Sequence, residues 1–478
     1  MLSLSKVKTT TFEKKQEKKI NEELPYFITL LTLLSSAGIG PYFILERIKS
    51  IDLLPFISKE AQKMLKRIDL LGQDPLAVMN QAKEHSSSKA LGDFFDGYVS
   101  TIQSGGDILN YLKTKMVTVF SRHTELQKQS VTQLGALIEA YMTVQVVLLA
   151  IYIISAVVVS DTITNYSESF DPDLILLVIS PAISFLFIFI ANKSSTINLP
   201  EIPIKKIMTF IVPGVTSSGV LIGLSILPDS RIEPYVLGII LIVSSIWPTL
   251  HFKKLYSKII AGEVATPQIL RTITEARKTG MSPESCVIHA CKRKDYGLFN
   301  NMANGIANKI EWGVEFKNIF SDLKKEISNF NVLISFKILF ELISSGGGNT
   351  QTLDSLAETS EKMYETQKNK RSLLKPYLYV GFILIGTTAF TTLLVADSFG
   401  SIAEKQDELS INPQDITIGL GFFPIIVLLQ SWSAGLFLGK VITGAYSGGF
   451  QYSIILVIIS LIGITLVQFS IIDVNSIF

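Results

Sequence analysis

The stretch Ile416–Gly449, "ITIGLGFFPIIVLLQSWSAGLFLGKVITGAYSGG", admits two opposed readings. Its second half sets glycine shortly before a Gly-Lys pair, as a phosphate-binding loop does. Such a loop needs four residues between its glycines and a Ser or Thr after the lysine, whose hydroxyl binds magnesium. Here only Leu436, Phe437 and Leu438 separate Gly435 from Gly439, and Val441 follows Lys440. The residues ahead of the motif, Ile416 to Leu438, form an apolar run long enough to cross a hydrocarbon core. The nucleotide reading fails on spacing, hydroxyl and context. The membrane reading gives the same residues other work. Gly435-x-x-x-Gly439 lets two helix backbones approach closely in lipid. Lys440 supplies a base at the cytoplasmic end of the helix, and Gly444, Gly448 and Gly449 permit a tight turn into the next span.

Six further runs of this kind accompany it: Tyr141–Ser160, Leu174–Ala191, Ile207–Leu227, Tyr235–Phe252, Tyr377–Ala396 and Tyr452–Ile472. None of the seven contains Asp, Glu, Lys or Arg. The mean hydropathy of +0.40 agrees with a membrane protein. The formal net charge of +2 implies no polyelectrolyte partner, and nucleic-acid binding lacks a basic-aromatic surface. Two cysteines, Cys286 and Cys291, make no disulfide framework.

The connecting segments set an orientation. "DTITNYSESFDPD" (161–173) is acidic without a base, and "DSFGSIAEKQDELSINPQD" (397–415) has Lys405 as its one base. "NKSSTINLPEIPIKK" (192–206) and the block 251–376 are net basic. Because Lys and Arg sort to the cytoplasm, seven spans place the N-terminus inside and the C-terminus outside.

Two polar blocks remain, and they repeat each other. "LPYFITLLTLLSSAGIGP" (24–41) lines up with "TPQILRTITEARKTGMSP" (266–283), pairing Gly38 with Gly280 and Pro41 with Pro283. "SGGDILNYLKTK" (104–115) lines up with "SGGGNTQTLDSLAET" (345–359), pairing Gly105 and Gly106 with Gly346 and Gly347. Repeats of this size indicate duplication of a domain. Leu24, Phe27, Ile28, Leu31 and Leu34 recur at helical spacing. Gly38 and Gly280 suit helix C-caps, and Pro41 and Pro283 suit the first turn of the next helix. No stretch alternates long enough to form a sheet. The expected fold is all-α: a charged leader (1–20), a cytoplasmic helical bundle (21–140), four transmembrane helices (141–252), a second bundle (253–376) and three transmembrane helices (377–478).

At this point the chain resembles the type II secretion F-domain family, the polytopic platforms of type IV pilus-like machines. The paired "SSAGIGP"/"RKTGMSP" hairpins, the paired "SGG" turns and "AGLFLGKVITGAYSGGFQYS" carry the resemblance. Four spans between the repeats look like the archaeal branch, the archaellum and archaeal pilus platforms (FlaJ type), related to TadC. The resemblance implies a non-enzymatic platform of the cytoplasmic membrane, without cofactor. Its implied partners are a hexameric cytoplasmic secretion ATPase, pilin- or archaellin-like subunits, the lipid bilayer and a second copy in a homo-oligomer, a dimer. A secondary transporter shares the spans and repeat but needs ionisable residues at mid-membrane. A membrane receptor or regulator fits the topology without a signalling motif.

Bases distant from the expected membrane edge are candidate contacts for the ATPase: Arg271, Arg277, Lys278, Lys292, Arg293 and Lys294. "CVIHAC" (286–291) sets Cys286 and His289 one turn apart, but a fourth ligand is not in view, and no metal site is expected.

Overall fold

A computed structural model describes residues 2–86, 88–162, 172–194, 233–293, 295–405 and 423–474. All regular structure among them is helical. In chain order the helices are α1 (Leu2–Ser36), α2 (Pro41–Lys49), α3 (Pro55–Leu71), α4 (Pro75–His85), α5 (Lys89–Gln103) and α6 (Ile108–Thr162). There follow α7 (Pro172–Ser194), α8 (Glu233–Lys278), α9 (Pro283–Arg293), α10 (Asn300–Glu311), α11 (Phe316–Glu326) and α12 (Phe330–Ser344). The last three are α13 (Thr350–Lys405), α14 (Phe423–Thr443) and α15 (Gly449–Val474).

The chain divides into two compact units. The first combines residues 1–127 with 257–368, so both polar blocks belong to one body. The second combines 128–256 with 369–478 and holds the apolar helices. The leader expected over 1–20 is the start of α1, and Ile20 is fully buried.

Within the first unit the duplication extends to every element. Helices α2 to α6 recur as α9 to α13, and the joints recur with them. Gly38 and Gly280 have φ of 81° and 90°, Gly72 and Gly313 have 62° and 72°, Gly105 and Gly346 have 67° and 74°. Each pair ends a helix in the left-handed region, where a Cβ is strained. Asp107 accepts the amide of Asn110 at 3.0 Å, and Asn349 accepts that of Thr352 at 2.8 Å. Leu112 and Leu353 then bury fully on the helices these residues cap.

The two copies pack on each other through α12. The Tyr26 ring meets the Phe330 ring at 4.7 Å, and the Arg47 guanidinium lies 3.4 Å from the Glu341 carboxylate. Ala37 lies against Gly347, and Lys324 stands 3.8 Å from Asp52. The sequence of α12, "FNVLISFKILFELIS", is apolar all round because the helix is covered on both sides. Its counterpart α5, "KALGDFFDGYVSTIQ", is amphipathic and buries one face only.

Among the described residues, five helices are long and apolar enough to cross a membrane: Ile108–Leu148, Pro234–Lys278, Thr350–Thr391, Pro424–Thr443 and Tyr446–Leu466. A shorter apolar segment, Ile179–Lys193, lies in α7 and belongs to the expected span Leu174–Ala191. The expected span Ile207–Leu227 lies outside the described residues. The protein is a multi-pass α-helical membrane protein.

Candidate functional site

The second unit is built around α14, which packs on α15 and α7. Small residues set the spacing between α14 and α15. A Cβ on Gly435 would stand 2.3 Å from the Ser453 Cα, and one on Gly439 would stand 2.2 Å from the Gly449 Cα. A Cβ on Gly448 would run into the Thr443 hydroxyl. Only Gly444 of this group needs the left-handed region, at φ 77°; Gly448 and Gly449 are required by close packing.

Lys440 lies in the last turn of α14, at the end of the helix as its sequence position suggested, but it is not an exposed base. Helix α14 continues to Thr443, so the lysine lies inside the helix and is 2 % exposed. Its ammonium donates to the Gly444 carbonyl at 2.8 Å and lies 3.8 Å from the centroid of the Tyr446 ring. Thr443 Oγ1 donates to the Gly439 carbonyl at 2.7 Å, and the Ala445 amide donates back to Thr443 Oγ1. Side chains of the last helical turn thus bond the Gly439 and Gly444 carbonyls on either side of the helix end.

A ladder of uncharged polar side chains crosses the same unit. Tyr141 and Ser184 share a hydrogen bond of 2.9 Å, and Ser433 donates to Ser184 at 3.1 Å. Gln430 donates to Gln145, the Trp432 indole donates to Ser245 at 3.1 Å, and Ser431 pairs with Ser460 at 2.6 Å. Phe437 closes the group with its ring 4.4 Å from that of Tyr141. Such bonds between helices average about 0.6 kcal/mol each in lipid and fix register more than they add stability. The sequence marked Gln430 and Ser433 as polar but gave no sign of their partners.

The bases proposed as partner contacts fall into two groups. Arg277 donates through Nε to the Gly348 carbonyl at 2.9 Å and through Nη1 to the Met281 carbonyl. It ties the end of α8 to the Gly346–Gly348 turn. Arg271 lies 3.4 Å from Asp354, and Lys292 lies 2.6 Å from Glu311. Lys278 and Arg293 make no ion pair among the described residues, and Arg293 is exposed. Lys294 lies outside the described residues. Cys286 and Cys291 are both fully buried, and burial pushes the Cys291 thiol up to about 12.

A carboxylate in the first copy was not anticipated. Glu23 of α1 accepts the Phe56 amide at 3.0 Å and the Ile57 amide at 2.8 Å. These are orphan amides of the first turn of α3, whose N-cap residue Leu54 offers no side-chain acceptor. Glu23 therefore caps α3 from another helix. Burial raises its pKa to about 7, against the opposing pull of the two amides.

Comparison with known proteins adds a family to this geometry. An uncharacterised protein of Methanocaldococcus jannaschii is 23 % identical over 421 residues, covering 78 % of this chain and 68 % of that protein. No solved structure matches. The family model described as type II secretion system (T2SS), protein F, matches residues 27–159. That match takes in the first copy of the bundle and the apolar end of α6, the arrangement that α9 to α13 repeat. Over residues 27–159 the chain is similar to the T2SS protein F family.

Proposed function

We propose that this protein is the cytoplasmic-membrane platform of a type IV pilus-like filament or secretion machine. It performs no catalysis itself and passes the motion of a separate hexameric secretion ATPase to pilin- or archaellin-like subunits. The observation that carries this reading is the match of the first bundle to the T2SS protein F model over 27–159, with the same helix order repeated in the second bundle of that compact unit. Helices α6 and α13 each run from a copy of that bundle into an apolar segment. The N-terminus is assigned to the cytoplasm and the C-terminus to the outside, on the acidic 161–173 and 397–415 segments. The four spans expected from the sequence between the copies favour an archaellum or archaeal pilus, working as a dimer.

Deletion of the gene tests the reading. It should abolish one extracellular filament while its subunits accumulate in the membrane, and the purified full chain should bind the co-expressed secretion ATPase. Normal filaments in the deletion strain, together with no ATPase binding, would refute it.

A further inference from the structure

The two copies of the bundle expose the same face to different fates. In the first copy, the face formed by α2 and the end of α1 receives helix α12. Arg47 on that face meets Glu341, which is also held by Lys337 at 2.7 Å. In the second copy the equivalent face is formed by α9. Among the described residues of the first unit, none covers it in the same way. Ser285, Lys292 and Arg293 are exposed there, while Ile288 and His289 are half-buried. These five residues line an open depression of about 440 Å³. His289 occupies the place that Arg47 holds in the first copy.

A face that seats a helix once has the shape to seat one again. The first copy shows what kind of helix fits: α12 is apolar and brings one carboxylate to a base. On α9 the bases are Lys292, held by Glu311, and Arg293, whose charge has no ion-pair partner among the described residues. Trp312, directly after Glu311, is 77 % exposed. Tryptophan and arginine are among the residues enriched at protein-binding hot spots.

We propose that the α9 face is a docking groove for one helix of a partner protein, apolar along one stripe and carrying a carboxylate that meets Arg293. A second copy of this chain is a poor occupant. Its own counterpart of α12 is α5, with Lys89 in the place of Phe330 and Ser100 in the place of Glu341. That helix has neither the ring nor a carboxylate at those two places, and its outward face, with Asp93, Asp96 and Ser100, is polar instead of apolar. The inference requires only a partner in the same compartment and does not depend on what that partner hydrolyses or moves.

The test uses the full-length chain in its own cells, with a photoreactive benzophenone side chain at position 285. Cross-linked peptides are mapped by mass spectrometry. The expected product joins position 285 to a carboxylate-bearing helix of a different protein. Its yield should fall about fivefold with Arg293→Glu, the effect of reversing one charged contact at an interface. Lys317→Glu, an exposed base on α11 outside the depression, should leave the yield unchanged and serves as the control for general charge effects. Limited proteolysis checks that both variants fold. Cross-links to lipid, to a second copy of this chain, or to a segment without Asp or Glu would overturn the proposal, as would no cross-link. If the mapped helix fits but its protein is not an ATPase, the groove stands and the motor assignment falls.

Discussion

Ser88 and Asn329 hold the same position in the two copies of the bundle and do the same two jobs. Each is an N-cap: Ser88 Oγ accepts the Leu91 amide at 3.3 Å, and Asn329 Oδ1 accepts the Val332 amide at 3.0 Å. Each also reaches back to the first long helix of its own copy. Ser88 Oγ donates to Asn21 at 2.7 Å, and Asn329 Nδ2 donates to Glu263 at 2.8 Å. The cap and the strut are one side chain, so the start of α5 or α12 is fixed to α1 or α8 as it forms.

The pair gives an asymmetric prediction. Ser88→Ala loses a cap and a neutral hydrogen bond and should destabilise the first unit by about 1–2 kcal/mol. Asn329→Asp keeps the cap but sets a second carboxylate against Glu263, which is 6 % exposed. Like charges in a buried site repel, so Asn329→Asp should unfold at a lower temperature than Asn329→Ala. Thermal unfolding of the purified protein near neutral pH orders the three. Asp above Ala would show that the link to Glu263 contributes nothing.

Glu23 makes stability depend on pH in a defined window. Its folded pKa of about 7 lies above the usual 4.5, so the folded protein binds the proton more tightly. Stability from this group is fully present below about 4.5 and is lost as pH rises through about 7. Glu23→Gln keeps an oxygen for the Phe56 and Ile57 amides and cannot ionise. Relative to wild type it should be more stable at pH 8 and little changed at pH 4. The difference in denaturation midpoint across that range measures the effect, and a flat difference rejects it.

Orientation is open to direct labelling. Single cysteines at Ser167 and Ser410, in the acidic segments outside the described residues, should react with an impermeant thiol reagent in intact cells. One at Ser321, exposed on α11, should not. The reverse pattern would invert the membrane assignment and move the bundle unit, with its α9 face, outside.

The sequence showed the architecture because its signals were local. Gly38 and Gly280, each three residues ahead of a proline, mark helix ends by backbone sterics alone. An unbroken apolar run needs no partner to be read as a span. Long-range pairs left no such trace. Glu23 looks like a solvated acid in "NEELP" until Phe56 and Ile57 arrive from another segment. Arg271, Arg277 and Lys292 look like free bases until Asp354, Gly348 and Glu311 are folded against them. Helix α12 is buried nearly all round, and the surface that covers it is the other copy of the bundle. Periodicity within one element cannot name it.

Lys440 separates a charge requirement from a shape requirement. As a flanking base at a membrane edge it should be replaceable by arginine, which keeps the charge. As found, its side chain is buried, its ammonium lies on the Tyr446 ring, and it donates to the Gly444 carbonyl. Around it Gly439 and Gly449 bring two backbones within the reach of a single Cβ. A guanidinium is broader and planar, and no slack remains in this turn to admit it. Lys440→Arg should therefore lower the yield of folded, monodisperse protein in detergent. Lys440→Met keeps the length without the charge and leaves the Gly444 carbonyl without this donor, a loss of roughly 1–3 kcal/mol. Gly439→Leu must separate α14 from α15 and should be the most severe of the three. Gly386→Ala provides the control, since a Cβ at that helical glycine meets only an ordinary contact at 3.7 Å from Ile459. Size-exclusion profiles and thermal inactivation rank the variants. If Lys440→Arg matches wild type in both, the lysine is a membrane-edge charge only and the contacts around it do not shape the turn.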